Sequence, residues 1–491
     1  MEKQHVLELF KLREKNPQIN CNFRTSESEF LKKLDPERIR YLKTELESFS
    51  APNCDLNLPY ICDNCLHRVL HGKFSSWASG NELIDSFIQE TQLSSSYERY
   101  PEWVPYNSLS QIKKIGEGGF GTVFSAMWSW GIKGIKTKDL NMHYRTGPCK
   151  VALKKLKGEM EITQTFLSEV QAQFDFCHLY GITQDPETLE YMFIMRLAPQ
   201  GDLRTYLLRN FNNLSLPNKL GIAQTICAEL KKIHARGWVH GDLHSGNILL
   251  LNEENAFISD FGMCRPIDAV KSKDKLYGVI PNLAPEIFRR HPYSQAGDIY
   301  SLGIILWELV CGVIAYSDRS HDVHLIVDIC DGLRPQTCYF APPVYNDLLK
   351  RCWDQDPLKR PSIEEILNSI EFWCFHRKQC DILINNIDGE HLFRSGISYK
   401  DSSIARERIH DENDRFGDPQ SLNYRIKNQF ANSQNAGYIY ILIGWKPNKH
   451  IHTEAVYTSR SFSYKSLQDD IDIFLSRRKS NQKSNQSSIV K

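Results

Sequence analysis

The run His240-Gly-Asp-Leu-His-Ser-Gly-Asn247, followed thirteen residues later by Asp260-Phe-Gly262, constrains this 491-residue chain more than any other feature. It sets a carboxylate, a carboxamide and a second carboxylate at a spacing suited to phosphoryl transfer from magnesium ATP, where one base and two oxygen ligands for metal suffice. Asp-Phe-Gly alone would carry no weight. Here it belongs to an ordered series: Gly116-Glu-Gly-Gly-Phe-Gly-Thr-Val123, Val151-Ala-Leu-Lys154, Glu169, the loop at 240–247, Asp260-Phe-Gly262, Ala284-Pro-Glu286, Asp298-Ile-Tyr-Ser-Leu-Gly303 and Arg360.

Each member has a physical reason to be what it is. Glycines at 116, 118 and 121 let a β-turn lie against triphosphate oxygens without a Cβ clash, Phe120 caps the phosphates and Val123 packs on the base. The flanks, Gln111–Ile115 and Thr122–Ala126, alternate as two strands of a hairpin. A dinucleotide fold would follow its glycines with a helix instead. Lys154 closes a β-branched run and projects as a fixed positive charge, and Glu169, in a segment with Ile162, Phe166 and Val170 at helical spacing, is its natural partner. The apolar stretch Ile299–Val310 is too short for a membrane span and contains Glu308, so it reads as a buried central helix.

The series as a whole resembles the protein kinase catalytic domain. The resemblance implies an α+β, bilobal fold: a small antiparallel β lobe with one regulatory helix, and a large, mainly helical lobe. It implies Asp242 as the base that accepts the substrate hydroxyl proton, with Lys154 and Glu169 as the phosphate-anchoring pair and Asn247 and Asp260 as magnesium ligands. The expected ATP-binding set is Ile115, Gly116, Glu117, Gly118, Gly119, Phe120, Gly121, Val123, Ala152 and Lys154, with Met195 as gatekeeper and Arg196, Leu197 and Ala198 as the hinge. His240 is expected to pack under Phe261 and not to act in a triad. Glu286 and Arg360 match the family's buried ion pair, and Asp298 matches the residue that anchors the backbone of the catalytic loop.

A kinase domain over 109–373 leaves two substantial flanks. Net charge is +1, so no basic field draws in nucleic acid or anionic lipid. The charged start, with no apolar leader, and the scattered 14 cysteines fit a soluble, cytoplasmic protein with reduced thiols, acting on protein substrates. Residues 1–50 read as a helical or flexible segment. Within 51–108, Cys54 and the Cys62-Asp-Asn-Cys65 knuckle suggest a degenerate zinc site completed by His67 or His71, with Ala51 where a first knuckle would need cysteine. Plain packing of three cysteines competes with that reading. Residues 81–92 read as an amphipathic helix with Leu83, Ile84, Phe87 and Ile88 on one face, serving either core or docking. Residues 129–149 form a long insertion that reads as a surface loop, and 374–491 as a largely flexible tail with a docking strand near 437–443.

The runs Ser76-Trp-Ala-Ser-Gly-Asn81, Glu102-Trp-Val-Pro-Tyr-Asn107, Tyr180-Gly-Ile-Thr-Gln-Asp-Pro-Glu-Thr188 and Glu454-Ala-Val-Tyr-Thr-Ser-Arg460 resemble the tyrosine-kinase-like kinases expanded in arbuscular mycorrhizal fungi. That resemblance implies an ATP-dependent kinase directed at serine and threonine. Four departures bear on it. Gly241 replaces the arginine that gathers an activation-loop phosphate, Val279 replaces a bridging threonine, and His244 stands in place of the phosphate-contacting lysine of serine/threonine kinases, where tyrosine kinases differ too, which leaves the acceptor open between serine/threonine and tyrosine. The segment after Glu169 is also several residues short. Either the regulatory helix ends a turn early and Glu169 keeps Lys154, which is the expectation, or the helix is displaced and the chain is a pseudokinase or nucleotide-binding scaffold. An adaptor acting through its flanks is a third reading.

Overall fold

The computed structural model describes residues 70–94, 100–117, 121–133, 145–156, 164–176, 179–267, 275–338, 341–385, 451–471 and 473. They fall into two compact units that divide between Leu197 and Ala198.

The first unit contains α1 (Glu82–Ser94), β1 (Glu102–Trp103), β2 (Leu109–Glu117), β3 (Gly121–Trp128), β4 (Cys149–Leu156), α2 (Gln164–Phe176), β5 (Leu179–Gln184) and β6 (Tyr191–Arg196). Its sheet runs β1-β5-β6-β4-β3-β2, antiparallel except for the β1–β5 pair. The β2–β3 hairpin is the one expected from the alternation around the glycines. Strand β1 approaches β5 so closely that a Cβ at Gly181 would sit 2.4 Å from the Glu102 carbonyl oxygen, and glycine is required there. The Asn81 side chain starts α1 by accepting from the backbone N–H groups of Leu83 and Ile84. Ile84 and Ile88 then enter a core with Val170, Leu179, Ile182 and Phe193, which makes this helix part of the core. Leu83, expected on the same face, is instead 50% exposed, because the buried stripe is centred on Ile84 and Ile88 with Phe87 at its flank. A second cluster, around Trp128, Val151, Leu153 and Ile194, fills the other side of the sheet.

In the second unit the chain forms α3 (Leu203–Asn210), α4 (Leu216–Ala235), β7 (Trp238–Val239), β8 (Ile248–Leu250), β9 (Ala256–Ile258), β10 (Arg265–Pro266) and β11 (Lys275–Gly278). Helices α5 (Pro285–Phe288), α6 (Gln295–Cys311), α7 (Val323–Cys330), α8 (Pro343–Cys352) and α9 (Ile363–Asn385) follow, and strand β12 (Arg460–Ser463) comes from the distal tail. Helix α6 is the apolar segment expected to be central, and every residue from Asp298 to Cys311 is buried. Ser294 caps its start by accepting from Gly297 N–H, and Gly312 closes it at φ 69°. Glu308 is accommodated inside because its Oε1 accepts from Ala315 N–H at 3.0 Å, while burial raises its pKa. Among the described residues no helix is long and apolar enough to cross a membrane. Helix α9 packs along α4. Small antiparallel ladders join β7 to β10, β8 to β9 and β11 to β12.

The expected ion pair is present as a two-pronged contact. Arg360 Nη1 and Nη2 donate to Glu286 Oε1 and Oε2 at 2.7 and 2.8 Å, and the same guanidinium donates to the carbonyls of Ala296 and Asp354. Removing one partner of a buried pair strands the other charge without solvent. Arg360→Ala should therefore lower the unfolding free energy by about 3–5 kcal/mol, read by urea denaturation.

Candidate active site

In the first unit, β2 and β3 pair Gly116 with Val123 and Glu117 with Thr122, β2 ending at Glu117 and β3 starting at Gly121. Gly118, Gly119 and Phe120 lie outside the described residues. Residues directly opposite across antiparallel strands share a face, as do residues two apart. Val123 lies opposite Lys154, and Ala152 opposite Met195, which sets Val123, Ala152, Lys154 and Met195 on one face of the sheet. Ile115 is half exposed beside them in sequence, on β2. Arg196 ends β6, and Leu197 and Ala198 carry the chain onward from it.

Lys154 and Glu169 meet: Nζ donates to Oε1 at 2.6 Å, and both side chains are buried. Helix α2 runs to Phe176 and β5 resumes at Leu179, so the shortening falls in the connection and not in the contact. Val170 is fully buried and Phe176 nearly so, while Phe174 packs edge-on against Phe87. The side chain of Phe166 lies outside the described set.

In the second unit, the loop at 240–247 hangs from Asp298 at the start of α6. Its carboxylate accepts from His240 N–H at 2.8 Å and Gly241 N–H at 3.0 Å, and pairs with His234 Nε2 at 3.0 Å. Burial opposes ionisation here, yet the hydrogen bond from His234 and those from the loop hold the carboxyl below its ordinary pKa. Gly241 sits at φ 78°, a conformation open to glycine and strained for other residues. The His240 ring packs edge-on to Phe261 with centroids 5.3 Å apart, and its Nε2 faces the Ser259 carbonyl. Ser259 in turn donates its N–H and its hydroxyl to the Asn247 carbonyl, which ties the segment ending in Asp260 to the loop. Asp260 itself adopts φ 64°.

Asp242 is buried, and Asn247 Nδ2 donates to its carbonyl at 2.9 Å and to its Oδ2 at 3.4 Å. Burial pushes its carboxyl up to about 7, with the charge of Asp260 adding to the rise and hydrogen bonds from Ser459 and Asn247 opposing it. His244 Nδ1 faces two donors, Gly246 N–H and Arg204 Nη2, both at 3.1 Å. Burial and the Arg204 charge hold this imidazole well below its usual pKa. The ring is then neutral with its proton on Nε2, and Nε2 lies 3.1 Å from Ser459 Oγ. The Ser459 hydroxyl donates to Asp242 Oδ2 at 2.5 Å. Arg204 and Ser459 were not legible as site residues: Arg204 sits in an ordinary amphipathic helix, and Ser459 lies in the distal 454–460 run, whose resemblance gave it no role at the loop.

Among the described residues, no cluster of three or more His, Cys, Asp or Glu side chains converges. The expected zinc ligands Cys54, Cys62, Cys65 and His67 lie outside the described residues, as does the expected strand near 437–443.

Residues 109–370 match the family described as protein tyrosine and serine/threonine kinase. The chain is 30% identical over 365 residues to a probable serine/threonine-protein kinase, roco5, of Dictyostelium discoideum, covering 68% of this chain and 12% of that protein. It is 27% identical to the serine/threonine/tyrosine-protein kinase HT1 of Arabidopsis thaliana, over 61% of this chain and 75% of that one. It is also 26% identical to the human tyrosine-protein kinase TXK, over 56% of this chain and half of the relative. The chain thus spans from about an eighth to three quarters of these relatives. With more than half of its length matched and the ordered motifs folded around a buried Lys154–Glu169 pair and an Asp298-anchored loop, the chain belongs to the protein tyrosine and serine/threonine kinase family.

Proposed function

We propose that this chain transfers the γ-phosphate of ATP to protein hydroxyls, chiefly of serine and threonine, in intracellular signalling. The observation that carries the reading is the closed, buried Lys154–Glu169 contact at 2.6 Å, which speaks against the scaffold reading with a displaced regulatory helix. An adaptor acting through its flanks has no chemical need for Lys154, Asp242, Asn247 and Asp260 together.

Lys154, held by Glu169, supplies a positive charge for phosphate oxygens; Val123, Ala152 and Met195 offer the apolar surface that a purine base requires, next to the backbone of Arg196–Ala198. Magnesium fits the donor set, since Asp260 contributes a carboxylate and Asn247 a carboxamide whose nitrogen is already engaged by Asp242, leaving its oxygen for a hard cation. Bound magnesium would neutralise charge developing on the phosphates. Asp242 accepts the proton of the acceptor hydroxyl, and His244 donates a hydrogen bond to that same oxygen. The neutral imidazole holds the hydroxyl without adding charge beside Asp242.

The relatives named as serine/threonine kinases support that acceptor class, as does the serine hydroxyl that reaches Asp242. The runs at 76–81, 102–107, 180–188 and 454–460 support placing the chain within the tyrosine-kinase-like group expanded in arbuscular mycorrhizal fungi. A cytoplasmic setting is supported by the eight cysteines whose side chains are described, all of them thiols.

Asp242→Asn should reduce phosphate transfer to generic protein substrates by about 100-fold or more with folding intact, measured with radiolabelled ATP and circular dichroism. Equal activity in variant and wild type would end the kinase reading. Activity should also be indifferent to phosphatase treatment, because Gly241 offers no guanidinium and Arg265 is committed to the Tyr293 ring at 4.6 Å. Gly241→Arg should not create such a dependence. It should lower stability by about 1–2 kcal/mol, since a side chain at φ 78° is strained and its Cβ would press on the Met263 carbonyl.

A further inference from the structure

Residues 451–471 lie across the second unit along a track that ends at the base. His452 N–H donates to the Ser317 carbonyl at 2.7 Å, and His321 N–H to the Glu454 carbonyl. Tyr457 is held three ways: its carbonyl accepts from Arg204 Nη1 at 2.7 Å, its hydroxyl donates to the Ala315 carbonyl at 3.0 Å, and its ring stands edge-on to His321. Beyond Ser459 the backbone becomes β12 and pairs with β11, matching Arg460 with Gly278, Ser461 with Tyr277, Phe462 with Leu276 and Ser463 with Lys275. A helix over residues 464–471 follows, burying Tyr464, whose hydroxyl donates to the Ile287 carbonyl, and Leu467.

An extended segment fixed on both sides of one serine, with that hydroxyl aimed at the proton acceptor, is the arrangement of a peptide substrate. We propose that Ser459 is a phosphoacceptor of this same chain: residues 451–471 are an intramolecular substrate, and the kinase modifies its own tail in cis. The inference rests on the kinase reading above.

The hydrogen-bond network orients the hydroxyl. His244 Nε2–H donates to Oγ, and Oγ–H donates to Asp242, so one lone pair of Oγ stays free. In the transfer, Oγ forms a bond to the γ-phosphorus of ATP as the bond from that phosphorus to the β,γ-bridging oxygen breaks. ADP leaves with the electron pair, and the hydroxyl proton passes to Asp242 Oδ2. Thr458 and Ser461 flank the site in sequence, yet neither hydroxyl is bonded to Asp242, whereas Ser459 is. The tether favours the chain's own tail over a free peptide, because a linked segment meets the site in an intramolecular step.

The test incubates the full chain with magnesium ATP, alone and with an added serine-containing peptide, and locates phosphate by mass spectrometry. Expected is phosphate at Ser459, with a rate constant unchanged across about 100-fold dilution of the protein, as an intramolecular step requires. Ser459→Ala should lack that phosphate yet still modify the added peptide, Ser459→Thr should recover it on threonine, and Asp242→Asn should lack both activities. Peptide phosphorylation with Ser459 unmodified would overturn the inference and leave the kinase reading standing. A rate that scales with protein concentration would overturn the cis assignment, and transfer to neither acceptor would overturn the kinase reading and the inference with it.

Discussion

The second unit depends on one buried carboxylate. Asp298 is almost wholly buried, and an uncompensated charge there would be costly. It is matched by His234 from α4 and by the two N–H groups of His240 and Gly241, and it sits in the first turn of α6, where the helix dipole favours negative charge. Those contacts demand the left-handed backbone at Gly241, and the left-handed turn in turn sets the direction in which Asp242 leaves the loop. A carboxylate held below its ordinary pKa contributes stability that is complete above that ordinary value and lost as pH falls through the lowered one. The geometry of Asp242 and part of the stability that the fold loses in acid therefore share one cause.

Gly241 and His244 stand where the kinase pattern has an arginine and a lysine around Asp242, and a cation reaches this loop from another element. Arg204, on α3, brings the cation, with burial lowering its pKa and the charges of Glu308 and Asp202 opposing that fall. It spends two donors, one on His244 Nδ1 and one on the Tyr457 carbonyl. The first fixes the imidazole tautomer and the second fixes the tail. One guanidinium thus couples the imidazole that meets the Ser459 hydroxyl with the backbone that carries that serine.

Much of this was legible in the sequence because the signals were local. The β2–β3 hairpin followed from alternation around the glycines, α6 from an apolar run of limited length, and the packing of His240 under Phe261 from the loop motif. The Lys154–Glu169 pair was also legible, although the short connection after Glu169 left the helix position open until the packing of Val170 and Phe176 resolved it. Leu83 was misread because a helix face inferred from spacing alone has soft edges. Ser459 was out of reach for a different reason. Its partner lies 217 residues away in sequence, and no periodicity or spacing encodes a contact between a loop and a distant tail.

The tail is held mainly by backbone groups: the β11–β12 ladder, the Val456 and Tyr457 carbonyls, and the N–H of His452. Main-chain pairing fixes register without reading side chains, so a one-residue slip would exchange every side chain between faces. Two aromatic rings resist such a slip most directly. Tyr457 stands against His321 two residues before Ser459, and Tyr464 is buried five residues after it, so a shift in either direction would pull both rings from their places. These two aromatic anchors clamp the strand between them and set the register, and the hydrogen bonds of the Ser459 hydroxyl with Asp242 and His244 then hold it at the loop.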